Sequence, residues 1–463
     1  MDKEHKKKMH TIKVIITEIV MVLVAIVTVI VLTFLAMGYN VNRNGELGQS
    51  GLLQLKSIPT GAMVEIDGEI MFSKTNMSRM LSEGKHKLVV SKDGYDTWEK
   101  EIVSDPGWLL KLDYPRLFLK ERTPEKIRDT ENLQFVSMDD GGTQILYATN
   151  NDKWQLLNIR GDEVSEQSLN VSEYIGKEAQ ITNIKWNKNS DKVLVRAKNK
   201  ENIEWSLINL KNIDSSLNLT QKFAFNFDMI EFSTDSGERL IVLENGNLRS
   251  ILASERTVSQ VMAKNVESFY NNDTNLAYIT ISGTKKNLML YQEGPNDILV
   301  TELNNASKVK VSLSDYLNKK YISFTIDSRL FIYRGEYPTT ERTLSDMELV
   351  VEKDVKFIPD ELVVWTEDQL IMAKSGKNIA MFNAELSELS EYEVEGENAF
   401  FLAPYLVGVT ANGQLIARDF DGNNRRELAV AELRATISKN NKWLYYLNTV
   451  DSKVAIYREK IMD

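Results

Sequence analysis

Val136-Ser137-Met138-Asp139 … Ile145-Leu146-Tyr147 is the stretch that decides the fold, because it recurs. An apolar residue comes first, then Ser or Asn, any residue, and Asp or Asn. A few turn residues and three strand formers follow. The pattern returns as Trp186-Asn187-Lys188-Asn189 … Val193-Leu194-Val195 and as Phe232-Ser233-Thr234-Asp235 … Leu240-Ile241-Val242. It returns again as Tyr270-Asn271-Asn272-Asp273 … Ala277-Tyr278-Ile279 and as Ile437-Ser438-Lys439-Asn440 … Leu444-Tyr445-Tyr446. Weaker copies stand at 315–324, 357–365 and 401–407. Ser, Asn and Asp close tight turns through their own backbone, and the triplets after them read as strands.

The repeat length is roughly 40–45 residues, that of a four-stranded propeller blade. A lone blade leaves both faces and its edges open, so a closed ring is the expected stable form. The units resemble TolB-type, WD40-like β-propeller repeats. The clearest echo is Ile416-Ala-Arg-Asp-Phe-Asp421-Gly422-Asn423-Asn-Arg425-Arg-Glu-Leu428. That resemblance implies an architecture of seven or eight blades over 127–463 and is nearly silent on ligand.

Toward the N-terminus the pattern changes. Pro59-Thr60-Gly61-Ala62 precedes Val64 and Ile66 on one strand face, and Asp67-Gly68 reads as a hairpin turn. Gly84 opens a strand in which His86, Leu88 and Val90 share a face. Asp93-Gly94 turns the chain before Tyr95 and Trp98. Pro59, Gly61, Ala62, Asp67, Gly68, Gly84, Gly94, Tyr95 and Trp98, at this spacing, resemble the PEGA domain, with Thr60 in place of the signature glutamate. The resemblance implies a small β-sandwich over 52–104 with a non-catalytic role in adhesion or scaffolding. His86, on the inward set, reads as a core or boundary histidine with a satisfied ring.

Ile19 to Met37 carries no charge, and extending it back to Val14 gives a stretch long enough to cross a hydrocarbon core of about 30 Å as a helix. The expected helix is 14–38. Thr28 and Thr33 are its only polar side chains between Ile19 and Met37, and each hydroxyl can bond back one turn. Lys3, Lys6, Lys7, Lys8 and Lys13 lie in or beside a tail at 1–13. The positive-inside rule therefore puts that tail in the cytoplasm and the rest outside a plasma membrane, as a single-pass protein. Tyr39 reads as an interfacial anchor. The alternative is a cleaved signal peptide ending at Ala36-Met37-Gly38. Residues 39–51 read as a linker and 105–126, with Pro106, Pro115 and Pro124, as a connector.

The formal charge is −10. Five lysines against three carboxylates make the chain +2 through Leu35 and leave −12 beyond it. An acidic ectodomain argues against a sequence-independent grip on nucleic acid or anionic lipid. The chain has no cysteine, which excludes thiolate chemistry and disulfides, and its histidines are His5, His10 and His86 alone. A Ser-His-Asp site on the repeat region is thereby excluded. No catalytic, cofactor-binding or metal-ligating residue is assigned, and no cofactor is expected. Asp139-Asp140 and Asp360-Glu361 are the carboxylate pairs open to glycosidase chemistry, against a plainer reading as turns. Asp419 to Asn423 has the oxygen content of a calcium loop without its bidentate glutamate. Trp154, Trp186, Trp205, Trp365 and Trp443 either line a sugar-binding face or hold blades together.

The leading expectation is a non-catalytic, membrane-anchored bacterial surface protein that engages envelope glycans or a partner protein through its propeller. The alternatives are a propeller glycosidase or lyase using carboxylates, and an accessory or sensor subunit of a membrane complex.

Overall fold

The structure, a computed structural model, describes residues 2–36, 39–41, 47–130, 132–149, 153–272, 274–292, 297–304, 306–365, 369–431, 435–450 and 453–463. Asp273 of the fourth repeat copy, and Met37 and Gly38 of the cleavage reading, lie outside these residues. The chain divides into two compact units, 1–120 and 121–463.

The first unit opens with helix α1, Asp2–Ala36. Its segment Ile15–Phe34 has a mean hydropathy of 3.0 and lies fully exposed, so no protein core accounts for its apolar surface. Thr28 and Thr33 donate their hydroxyls to Val24 O and Val29 O at 2.8 Å, which removes two polar groups from the helix surface. Eight strands follow: β1 Tyr39–Val41, β2 Leu47–Leu55, β3 Met63–Ile66, β4 Glu69–Ile70, β5 Met77–Ser82, β6 Gly84–Ser91, β7 Trp98–Ser104 and β8 Leu109–Leu112. They form two sheets, one of β4-β3-β6-β7 and one in which β2 pairs with β1, β5 and β8. Alternation decides the core. Leu53 and Leu55 of β2, Val64 and Ile66 of β3, and Leu88 and Val90 of β6 are buried with Ala62, Trp98 and Leu112.

The segments read from sequence as linker and connector both carry strands. Within 39–51 lie β1 and the start of β2, and 105–126 contains β8 and the start of a further strand, β9 (Pro124–Asp129). Parallel pairing of β8 with β2 is set by chain return over more than fifty positions, which no local period announces.

Among the described residues, the second unit forms eight four-stranded sheets in chain order. Blades 1 to 7 span 135–170, 180–218, 227–258, 266–304, 309–354, 361–393 and 400–430. Blade 8 is Thr436–Ile437, Trp443–Val450 and Lys453–Lys460, completed by β9 from the start of the unit. The expected seven or eight blades are thus eight, and the ring is closed by pairing the two ends of the unit. Ala455 to Glu459 pairs antiparallel with Asp129 to Pro124. First strands of neighbouring blades adjoin, as in blades 3–4, 4–5, 5–6 and 7–8.

Among the described residues, core clusters of this unit draw on two adjacent blades. Leu146, Trp154 and Leu169 of blade 1 pack with Val193, Val195 and Ile208 of blade 2. Met138, Ile145 and Leu157 of blade 1 pack with Tyr445, Leu447 and Ile456 of blade 8. Burial is therefore available only when neighbours are present, the physical basis of ring closure.

The weak repeat copies have a local cause. In blade 5 the first two strands meet at Leu317-Asn318, both at positive φ (50° and 60°), a two-residue hairpin that needs no Ser-x-Asp cap. The motif disappears there because the turn type differs.

Candidate functional site

In the small domain, the residues singled out by spacing fall on turns and core. Asp67 and Gly68 (φ 53° and 84°) form the tight β3–β4 turn, and Gly61, Gly84 and Gly94 also have positive φ. The Ala62 N–H donates to Thr75 Oγ1 at 2.9 Å. Tyr95 and Trp98 are buried, and the Trp98 ring meets Tyr114 edge-on at 6.0 Å. Pro59 follows Ile58, whose N–H and C=O bond to Pro115 and Leu117 of the returning chain.

Asp67 does more than turn the chain. Its Oδ1 accepts the Lys87 N–H at 2.8 Å and its Oδ2 faces His86 Nδ1 at 2.6 Å. The other ring nitrogen, Nε2, faces the Ser82 carbonyl at 2.8 Å. A carbonyl only accepts, and so does an ionised carboxylate, so both contacts are hydrogen bonds only when the imidazole is doubly protonated. Burial disfavours that cation, but the bonds to Asp67 and Ser82 outweigh it and raise the His86 pKa. The bond from His86 lowers the pKa of Asp67.

The signs give a bell. The His86 contribution is complete below its ordinary value of 6.5 and fades as pH rises through the higher folded value. The Asp67 contribution is complete above 3.8 and fades as pH falls through its lower folded value. The pair therefore stabilises most between those ordinary values. Urea midpoints of the small domain are expected to fall above pH 7. His86→Gln is expected to flatten that limb, with a loss of roughly 1 kcal/mol at pH 5.5 given the half-exposed carboxylate. An unchanged alkaline limb in the variant would remove His86 as its cause.

In the propeller the repeated motif lies at the ends of the first strands and joins blade to blade. Asp139, buried, accepts from Thr143 N, Gln144 N, Thr143 Oγ1 and, in blade 2, Ser190 Oγ at 2.6–2.8 Å. Trp186 Nε1 donates to Ser137 of blade 1 at 2.9 Å. Asn187 Nδ2 donates to Asp235 O of blade 3, and Asn271 Nδ2 of blade 4 to Phe232 O. The motif thus stitches neighbours together at one end of the ring.

The carboxylate pairs weighed for catalysis are tied into the scaffold. Asp139 is the turn acceptor just described. Asp360 binds Lys308 and Ser375, and Glu361 pairs with Lys374. Glu395 is half-buried; burial alone would raise its pKa, but Arg418 and Arg425 hold it down to about 2. A carboxylate so held cannot serve as a general acid near neutrality. In the oxygen-rich loop, Asp419 accepts from Asn424 Nδ2 at 2.9 Å, and the Arg426 guanidinium stands 3.4 Å away. An arginine thus faces the carboxylate on which a calcium reading would depend. Among the described residues no group of three metal-binding side chains converges.

The tryptophans divide. Trp154 and Trp205 are buried between strands. Trp443 donates to Asp162 of blade 1 at 2.7 Å beneath the Arg458 guanidinium. Trp186 and Trp365 are half-buried at the ends of first strands, and Trp365 stacks on Phe401 of blade 7 at 4.9 Å. Sequence reasoning missed Arg122, which donates to Leu428 O and Glu427 O of blade 7 and stands 3.6 Å from buried Glu459 of blade 8. A single arginine in a proline-flanked stretch carries no signal of such a clasp.

Two facing sheets, the left-handed Asp67-Gly68 turn and the buried tryptophan meet the domain expectation at the level of geometry, and a family comparison gives it a name. Residues 50–115 match the PEGA domain. The PEGA match takes in β8 and the returning segment through Pro115, beyond the 52–104 read from spacing. The comparison with curated proteins returned no match. Among solved structures, the chain is similar to an oligogalacturonate lyase of Vibrio parahaemolyticus, at 10% identity over 67% of this chain and 97% of that one, TM-score 0.42. It is similar to PorZ, a bacterial surface component of the type-IX secretion system of Porphyromonas gingivalis. There identity is 10% over 71% of this chain and 43% of that one, TM-score 0.42. The propeller domain of Cps50 from Myceliophthora thermophila matches at 11% over 60% and 99%, TM-score 0.36. These likenesses carry no argument on activity.

Proposed function

We propose that the chain is a surface-displayed, non-catalytic binding and scaffold protein of a bacterial envelope. In this reading α1 crosses the membrane with its basic end in the cytoplasm, and the PEGA domain and propeller stand outside. The propeller engages an envelope glycan or a protein partner. The observation that carries the reading is the stitched end of the ring. Half-buried Trp186, Phe232, Tyr270 and Trp365 stand there at or near the ends of first strands, beside polar turns locked by blade-to-blade hydrogen bonds. Such a face is rigid before any ligand arrives, so little ordering entropy opposes binding. Aromatic faces with fixed polar neighbours suit sugars or peptide segments.

The full chain in detergent or lipid nanodiscs, screened against envelope fractions and wall glycans, is expected to bind one class saturably. Trp186→Ala with Trp365→Ala should weaken that binding at least tenfold while circular dichroism stays unchanged. Release of unsaturated or shortened oligosaccharide products, abolished by a single Asp or Glu substitution, would replace this reading with a lyase or glycosidase. Binding that survives both tryptophan substitutions would move the site elsewhere.

A further inference from the structure

The outward face of the β2 sheet is apolar where the chain leaves α1. Leu53 and Leu55 point inward, so Leu52 and Gln54 point out. Leu52 is paired across the sheet with Met80 of β5 and Leu109 of β8, which puts the three side chains in one row. Met80 and Leu109 are 40% and 53% exposed, and Trp108, next to Leu109, is 66% exposed. The next row, Ser78, Gln54 and Lys111, is polar. The apolar strip is therefore confined to one end of the face.

That end is where the helix arrives. Tyr39 of β1 pairs with Gln49 of β2. One position along the same strand, the Gly107 N–H donates to Ser50 O, and the Leu52 N–H donates to Trp108 O. Tyr39 and Trp108 thus stand at neighbouring positions along β2. Ala36 ends α1 three residues before Tyr39, a span of at most about 10 Å, and Phe34 of the helix meets Tyr39 edge-on at 5.1 Å. The last apolar turn of α1 and the exposed Trp108-Leu109 pair are held at the same level by strand register. Gly51 makes this possible: a Cβ there would stand 2.6 Å from Ser104 Oγ and 2.7 Å from Asp105 O, so only glycine lets the 104–108 turn lie against β2.

We infer that the Leu52–Met80–Leu109 row and Trp108 rest on the outer lipid interface of the membrane that α1 crosses, with Trp108 as the anchoring ring. The occupant is a phospholipid headgroup layer, chosen because the strip is continuous with the lipid-spanning helix. Indole is suited to that layer, with an apolar body and one N–H for the wet side. Seating this end of the PEGA domain on the bilayer fixes its orientation to the membrane plane. The inference rests on the proposed membrane crossing of α1.

The chain has no cysteine, so single cysteines label cleanly. Three full-length variants, Ile26→Cys, Asp105→Cys and Phe72→Cys, carry an environment-sensitive fluorophore in phosphatidylcholine vesicles containing nitroxide lipids labelled both near the headgroup, for 105, and at mid-chain, for 26. Phe72 is fully exposed, and register places it about 20 Å from the Trp108 end, beside Val64. Labels at 26 and 105 are expected to be quenched at least twofold and the label at 72 to be unaffected. Adding Trp108→Ser and Leu109→Ser should bring the 105 label to the level of 72. Quenching at 26 with equal signals at 105 and 72 overturns the interfacial docking alone. No quenching at 26 overturns the membrane crossing and the docking with it. Equal quenching at all three overturns the docking by showing unspecific adhesion.

Discussion

Gly142→Ala is expected to open the propeller at its closing seam. Gly142 lies in the first turn of blade 1 at φ 60°, and a Cβ there would stand 1.9 Å from the carbonyl oxygen of Ile437 in blade 8. The same seam holds Lys439 N donating to Gly142 O and Arg458 Nη1 donating to Asp162 O. Two costs add. Alanine in the left-handed region costs about 1–2 kcal/mol, and displacing packed backbone costs about 1–3 kcal/mol more. Blades 8 and 1 meet through this seam, β9, the Trp443–Asp162 bond and their shared core, so the loss falls on the closure itself. The expected outcome is an unfolding free energy of the propeller, read from urea titration, lowered by about 3 kcal/mol. Protease cutting should start near the blade 1–blade 8 junction. Gly161→Ala is the control: φ is 63°, but nothing lies within 4 Å of its Cβ, so only the backbone term remains. Equal destabilisation by the two variants would show that the blade 8 contact contributes nothing to closure.

Trp98→Ala has the second large effect, confined to the PEGA domain. The indole is fully buried and meets Tyr114 edge-on, so truncation removes a large apolar area and leaves a cavity between the sheets. A loss of about 3–5 kcal/mol is expected, a large share of what a domain of this size commands. The propeller has its own cores and its own closing strand, so its transition should stay in place in calorimetry. Trp98→Phe should recover more than half of the loss. A shift of both transitions by similar amounts would mean that the two units unfold as one.

Other elements were legible to different degrees. The blade motif is written in residues because its turns are chemical: Asp139 and Asn187 cap their turns with their own side-chain oxygens, so type and spacing are constrained. Where the turn is made by backbone conformation, as at Leu317-Asn318, the motif fades although the blade persists. The PEGA turn at Asp67-Gly68 was legible for the same reason as the blade turns. The partner that Asp67 finds in His86, nineteen positions on, was not. Among the weighed carboxylates, residue type alone was visible. Their arginine, lysine and hydroxyl partners came from strand register and from neighbouring blades.

Composition and period by themselves determined an apolar helix near the N-terminus, a small β domain after it and a radial repeat filling the rest, because burial and turn chemistry act over a few residues. Tertiary structure alone decided that the blades number eight, that Pro124–Asp129 completes the last of them, and that Trp108 stands level with the end of α1. Those outcomes depend on pairing between strands far apart in the chain. A six-residue strand such as β9, without alternation of its own, gains its place only from the edge of blade 8 that it closes.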